Sequence, residues 1–377
     1  MNPTKIKNLF SKFFIFFLLL KCSDGKAKSN DVVYPQQQMN TTPGDSMFST
    51  ANSDSTKKKK KYKVDVEGMI QVHYFDEFNT NGDTIVDASG FRILRARLTA
   101  KGNISKNVSY VLMIDPRSPE SRGILRDAYI DFHLLQNQKL RVGQQKTQFG
   151  YENRESSAEL YFVNRTEVSD NLSRGANLRD IGLGLTGNIP LKNNFRIEDA
   201  ITFTNGSAFN VTGPNDFSTI KNVWGRIGLR YKNNDLTWRL GLSGGKGALK
   251  DLGDDLLDSA DDFIIKFDRI GGDIQFDHKI FFLATEYVMG NDNISDTISD
   301  TFGYYILLAG KTKWKIGPTL RYDVLDDEWK RWTAGVYYGL PKDKLRVLLN
   351  YEYRGYIPPD TLIGSDDRLY IQLQLVF

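Results

Sequence analysis

The chain has 377 residues, 50 Lys and Arg against 46 Asp and Glu, a net charge of +4, 12% aromatic residues and a single cysteine. Basic and acidic residues are mixed along its whole length, which argues against a nucleic-acid partner, since such binders gather basic residues on one segment or face. One cysteine excludes a disulfide framework and a Cys-rich metal site, and the scattered His73, His133 and His278 leave few ways to build a zinc site or a serine triad, so no cofactor, metal or catalytic residue is expected.

In chain order, Lys5, Lys7 and Lys12 precede an apolar run from Phe13 to Leu20, and Gly25-Lys26-Ala27 then supplies small residues where a signal peptidase reads. The run is well below the ~20 residues a spanning helix needs, so residues 1–27 read as a signal peptide for export. Lys21 is too bulky for the residue preceding a lipidated Cys22. Residues 28–61 are rich in Ser, Thr, Asn, Gln and Lys, cannot bury enough apolar surface to offset their ordering entropy, and read as a disordered periplasmic linker. Its Lys57 to Lys61 run suits anionic headgroups or cell-wall polymer, or else is plain solvated linker.

Residues 62–377 contain no apolar stretch of helix-spanning length, so a membrane location would require a closed β-barrel, the other structure that satisfies every backbone group in lipid. Alternation of period two recurs throughout. In the last segment Leu369, Ile371, Leu373, Leu375 and Phe377 alternate with Tyr370, Gln372, Gln374 and Val376. Likewise Leu236, Trp238, Leu240 and Leu242 alternate with Thr237, Arg239, Gly241 and Ser243, and Leu94, Ala96, Leu98 and Ala100 with Ile93, Arg95, Arg97 and Thr99. Many such segments run to about ten residues, the length that crosses a bilayer at a tilt.

Connections sort into two classes. Long ones are expected over 76–89, 116–123, 148–179, 205–221, 245–261, 291–300 and 355–365. Short ones centre on Lys106, Asn137, Lys192, Asn233, His278, Lys315 and Lys342, and 326–328 is a short one among the long. The fold class is therefore all-β, a transmembrane antiparallel barrel of about sixteen strands with both ends on the periplasmic side. Tyr338, Tyr351, Tyr353, Trp332 and Phe377 fall near strand ends, where interfacial girdles need amphipathic rings. Asp251, Asp254, Asp255, Asp258, Asp261 and Asp262 crowd one outer loop, a solvated acidic segment or one that binds divalent cations.

Three stretches then stand out: Leu94-Arg-Ala-Arg-Leu-Thr-Ala-Lys-Gly102, Asp127-Ala-Tyr-Ile-Asp-Phe132 and Leu140-Arg-Val-Gly-Gln-Gln-Lys-Thr-Gln-Phe-Gly150, followed by Phe162-Val-Asn-Arg165. The chain in these places resembles the phosphate-selective porin O and P family. The resemblance implies a sixteen-stranded outer-membrane barrel, usually trimeric, whose long third loop folds inward while lumen Arg and Lys guide anions. Gln148 stands where that family usually has proline and Asn164 where it usually has glutamate, which puts phosphate selectivity in question.

By strand parity the polar face carries Arg95, Arg97, Lys101, Arg141, Arg196, Arg226, Arg230, Arg239, Arg321, Arg346 and Arg354 against Asp65, Glu67, Asp127, Asp131, Glu198, Asp323 and Glu352. Arginine in excess concentrates anions, because its planar fork meets phosphate or carboxylate with two hydrogen bonds and stays charged. The residues expected to contact solute are Arg95, Arg97, Arg141, Arg226 and Arg230, with Lys146 and Arg165 from the family-like stretches. The function so read is a passive porin preferring anions, phosphate or polyphosphate among them, partnered by outer-membrane lipids, small anions, the barrel-assembly machinery and, in a homotrimer, its own copies. The competing reading is a structural or adhesive barrel with a plugged pore. An outer-membrane hydrolase is disfavoured, since His133 shares parity with Asp131 and Asp127 but no serine is convincingly placed beside it. Gly182-Leu-Gly184-Leu-Thr-Gly187 matches a dinucleotide fingerprint in letters only, lying in a strand with no helix after it.

Overall fold

The structure, a computed structural model, describes residues 63–79, 88–117, 124–173, 179–206, 220–251, 263–294, 297–326, 329–356 and 366–377. The signal peptide, the linker with its lysine run and, beyond Asp251, the acidic loop lie outside the described residues.

Sixteen strands follow in order: β1 (Val64–Asn79), β2 (Ser89–Ser105), β3 (Val108–Ile114), β4 (Leu125–Leu135), β5 (Gln138–Lys146), β6 (Arg179–Pro190), β7 (Phe195–Thr204), β8 (Asn222–Lys232), β9 (Leu236–Asp251), β10 (Phe263–His278), β11 (Phe281–Ile294), β12 (Thr297–Gly310), β13 (Ile316–Leu325), β14 (Trp329–Tyr338), β15 (Leu345–Tyr356) and β16 (Asp366–Val376). Each pairs antiparallel with its chain neighbours, and β1 pairs with β16, closing the barrel. The expected fold class and strand number are met.

Alternation sets the two faces. On β13 to β16 Leu320, Trp332, Leu349 and Ile371 are exposed, while Arg321, Thr333, Asn350 and Gln372 between them are buried. A one-residue slip in these strands would turn the buried polar set outward and the exposed apolar set inward, so the pattern also fixes register. The expected girdle residues Tyr338, Tyr351, Tyr353, Trp332 and Phe377 are all exposed, and Trp332 packs on Tyr322 with ring centroids 4.4 Å apart.

Three local expectations need correction. The long connection expected over 291–300 is strand instead: β11 runs to Ile294, β12 starts at Thr297, and Asn291 pairs with Asp300. The polar run Asn291-Asp-Asn293 reads as loop, yet a strand that continues past the hydrocarbon layer has no need of apolar residues. For the same reason β9 extends to Asp251 rather than ending near Gly245. The third correction is a bulge in β2. Gln71 faces Arg95 but Val72 faces Ile93, so Leu94 is the extra residue and Ile93 joins the exposed face rather than the polar one.

Phe377 extends the β1–β16 closure by one more pair. Gly68 donates to the Phe377 carbonyl at 2.7 Å and Phe377 donates back at 3.0 Å. The Phe377 ring lies over Gly68, on ground a Cβ would occupy. Deleting Phe377 removes both bonds, worth about 1 kcal/mol each, together with the ring contact. Phe377 deletion is expected to lower the folded, heat-modifiable fraction several-fold, and Gly68→Val to lower it less. Normal assembly of the truncated chain would remove this role from the residue.

Candidate functional site

The 147–173 segment between β5 and β6 lies against the polar face of strands remote from it. Phe149, Tyr161, Phe162, Val163, Val168 and Leu172 pack with Trp224, Phe267, Phe282, Tyr305 and Tyr337 of the wall in one buried cluster. Tyr161 stacks on Phe282 at 5.3 Å, and Phe149 meets Trp224 edge-on at 5.5 Å. A five-residue π-helical turn, Val168–Leu172, closes the segment.

Arginines of the wall then hold its carbonyls. Arg346 donates to Ala158 O at 2.6 Å and Leu160 O at 2.9 Å, and Arg321 to Asn164 O at 2.7 Å. Arg331 donates to Arg165 O at 2.7 Å and Arg269 to Leu172 O at 3.0 Å. Asp323 and Glu352 balance this group: Arg331 meets Asp323 at 3.0 Å, and Arg354 meets Glu352 at 3.1 Å, the pairing expected from sequence. Arg321 and Arg346, read by parity as part of the polar-face excess, are thus committed to the segment. Parity finds the face of a side chain but not the carbonyl that folds back onto it.

Within the segment, burial pushes the Asp170 carboxyl up to about 7, with Glu152 and Glu167 adding to the shift. The two departures from the family pattern also find partners here. Gln148 donates to Lys146 O at 3.1 Å and accepts from Arg154 at 3.0 Å. Asn164 donates to Glu352 at 3.2 Å, where a glutamate would set two carboxylates face to face.

Four of the seven expected contact residues come together. Arg97 is only 6% exposed and pairs with Asp115 at 3.0 Å, while Arg95 donates to Gln71 at 2.7 Å. Lys146 donates to Asn153 O, Arg154 O and Glu155 O at 3.3, 3.3 and 2.6 Å. Arg165 donates to Glu152 O and, at 2.7 Å, to Glu155 O. Arg126 and Arg179, missing from the expected set, complete the group. Arg179 pairs with Asp127 at 2.8 Å, and Arg126 lies within electrostatic reach of Arg95 and Arg97. Met113 faces Asp127 and Ile114 faces Leu125, which makes Arg126 the extra residue of a bulge and hides it from parity. Around these six cations stand Asp115 and Asp127, with Glu155 facing Lys146.

The other three lie elsewhere. Arg141 is held by both oxygens of Asp131, at 2.6 and 2.9 Å, and lies 3.5 Å over the Tyr129 ring. Arg226 is buried against Asp273 at 2.6 and 3.0 Å. Arg230 sits in a row with Arg196 and Arg239, directly opposite both on its neighbouring strands. Glu198 serves Arg230 at 3.1 Å and Arg239 at 3.9 Å. Like charges directly opposite destabilise a sheet, so this row is kept at a cost.

One negative expectation is overturned: a serine does stand beside His133. Ser109 Oγ lies 3.1 Å from His133 Nε2, because Ser109 pairs with Asp131 across β3 and β4. Among the described residues the dyad has no orienting acid, since Asp131 is bound by Arg141 and by Lys139 at 2.9 Å.

Residues 64–212 match the family described as phosphate-selective porin O and P. The porin match takes in β1 to β7 and the 147–173 segment, and the resemblance read from sequence falls inside it. Among solved structures the barrel is similar to a loop-deletion mutant of OmpT, an outer membrane protein of Vibrio cholerae, at 12% identity and TM-score 0.56, covering 84% of this chain and 99% of that one. It is similar to Salmonella typhi OmpF at 16% identity and TM-score 0.55, over 84% and 98% of the two chains. The outer membrane channel DcaP of Acinetobacter baumannii aligns over 85% and 99%, at 13% identity and TM-score 0.53. No curated protein is significantly similar to the chain. Family match and fold agree on a porin-type barrel.

Proposed function

We propose that the chain is a passive outer-membrane channel that prefers small anions, narrowed by the 147–173 segment. The observation that carries this reading is the group Arg95, Arg97, Arg126, Lys146, Arg165 and Arg179, basic side chains that outnumber the carboxylates beside them. In a lumen with low-dielectric walls such an excess raises the local anion concentration and repels cations. Guanidinium forks supply two parallel donors to a phosphate or carboxylate. The row Arg196, Arg230 and Arg239 is a second cationic station on the same face. Charge reaches only ~8 Å at physiological salt, so each station acts on ions passing close to it.

Phosphate is the finer reading and rests on the family match. Trimer assembly rests on the resemblance and on one OmpT structure of similar fold described as a trimer form. Lipids of the outer membrane and the barrel-assembly machinery are the further partners this reading requires, with export by the N-terminal signal. The competing reading, a plugged structural barrel, draws on the number of bonds fixing the segment to the wall. Planar-bilayer recording of the purified protein separates them. A channel with a reversal potential on the anion side in a KCl gradient, reduced in current by added phosphate, supports the proposal. Folded protein without conductance favours the plug.

A further inference from the structure

We propose that Glu286 of β11 is the positioning residue that sets the bore of the lumen, by holding the first turn of the 147–173 segment; this rests on reading that segment as the constriction. Glu286 is 2% exposed, and its Oε2 accepts the N–H groups of Tyr151 at 3.2 Å and Glu152 at 3.3 Å. The Tyr305 hydroxyl, directly opposite on β12, donates to the same oxygen at 2.9 Å. Asp273, opposite on β10, has drawn the nearby Arg226 to itself. A buried carboxylate is costly unless donors meet it, and two of the three donors here are backbone amides more than a hundred residues away in sequence. Gly150 completes the seat. Its N–H goes to Ser243 Oγ at 3.0 Å, its φ is +64°, and its Cα lies so close to Glu286 Oε1 that a Cβ would collide. Three successive N–H groups, from Gly150 to Glu152, are therefore taken by wall side chains, the way a nest of amides takes an anion.

The hold passes down the segment. Glu152 accepts from the Thr166 N–H at 2.9 Å and its hydroxyl at 2.7 Å, and its carbonyl accepts from Arg165. Arg165 belongs to the basic group, so Glu286 fixes the width of the lumen and the place of one of its cations together. Glu286 stands opposite an acid and carries no conspicuous sequence signal, and without the register it reads as one more lumen charge.

The test is single-channel recording of the full-length protein carrying Glu286→Leu, Glu286→Gln or Gly150→Ala, each first shown to be folded by heat-modifiability. Glu286→Leu is expected to raise open-channel conductance at least 1.5-fold and to add flicker. Glu286→Gln, which keeps an acceptor oxygen for the amides, should restore near-normal current. Gly150→Ala should resemble Glu286→Leu, and in a Glu286→Ala background it should add less, because its collision partner is gone and only the backbone strain at φ +64° is left. Normal conductance and noise in folded Glu286→Leu overturn the proposal, as does equal disturbance by Gln and Leu, which would point to charge rather than positioning. Should Glu286→Leu fail to assemble, Gly150→Ala alone decides. Deletion of the segment separates the two levels: a rise on deletion with none in Glu286→Leu sinks the latch alone, whereas no rise on deletion sinks the constriction reading itself.

Discussion

Arg95→Glu together with Arg126→Glu is expected to convert anion preference into cation preference, lowering the anion-to-cation permeability ratio on the order of tenfold, a change of roughly 1.4 kcal/mol in relative barrier. Both side chains belong to the basic group and are half-buried. The double reversal changes local charge by four units, more than the excess of six basic residues over Asp115, Asp127 and Glu155. Neither arginine forms the two tight pairs there, which are Arg97 with Asp115 and Arg179 with Asp127. Reversing Arg97 instead would leave a buried Asp115 uncompensated, at ~3–5 kcal/mol, and would confuse selectivity with assembly. Arg141→Gln serves as the control: it lies apart from the basic group and Lys139, 2.9 Å from Asp131, still meets that carboxylate, so reversal potential should move far less. Reversal potentials at 0.01 M and 1 M salt complete the test, because the screening length falls from ~30 to ~3 Å between them. A folded double variant that keeps the wild-type anion preference at low salt would remove these arginines from the selective pathway.

Replacing residues 150–172 by a short Gly-Ser bridge is expected to raise conductance several-fold and to flatten ion discrimination. Sixteen strands enclose a lumen wider than a small solute, so width falls to whatever lies across it. Arg165 leaves with the segment, and Lys146 loses the carbonyls that hold it, so the basic group is both thinned and loosened. The cost is also predictable. Phe282 and Tyr337 lose the Tyr161 ring, and Arg346, Arg321 and Arg331 lose carbonyl acceptors. A lower unfolding temperature should therefore accompany the wider pore. Folded protein with unchanged conductance would show that the segment does not limit the path.

How much of this was readable beforehand depends on the range of the interaction. Period-two alternation is local, and it determined the strands, the faces and the closed barrel, because a tilted strand in lipid must turn one side to hydrocarbon and the other to the lumen. Connection lengths were readable too, except where β9, β11 and β12 run on through polar residues that read as loop. Two bulges escaped, at Leu94 and Arg126, since one inserted residue leaves no mark in composition while it turns a side chain to another face.

The fate of each charge was decided by tertiary structure alone. Arg95, Arg97, Arg141, Arg226, Arg230, Arg321 and Arg346 look alike in sequence, each a cation on a polar face. Register hands Arg141 to Asp131 and, across Gly241 of the intervening β9, Arg226 to Asp273, while the folded-back segment claims Arg321 and Arg346 through its carbonyls. What remains as a positive excess, Arg95 and Arg97 with Lys146, Arg165 and the bulged Arg126, depends on contacts across strands and across the lumen. Such contacts are set by three-dimensional proximity, and no periodicity along one chain encodes them.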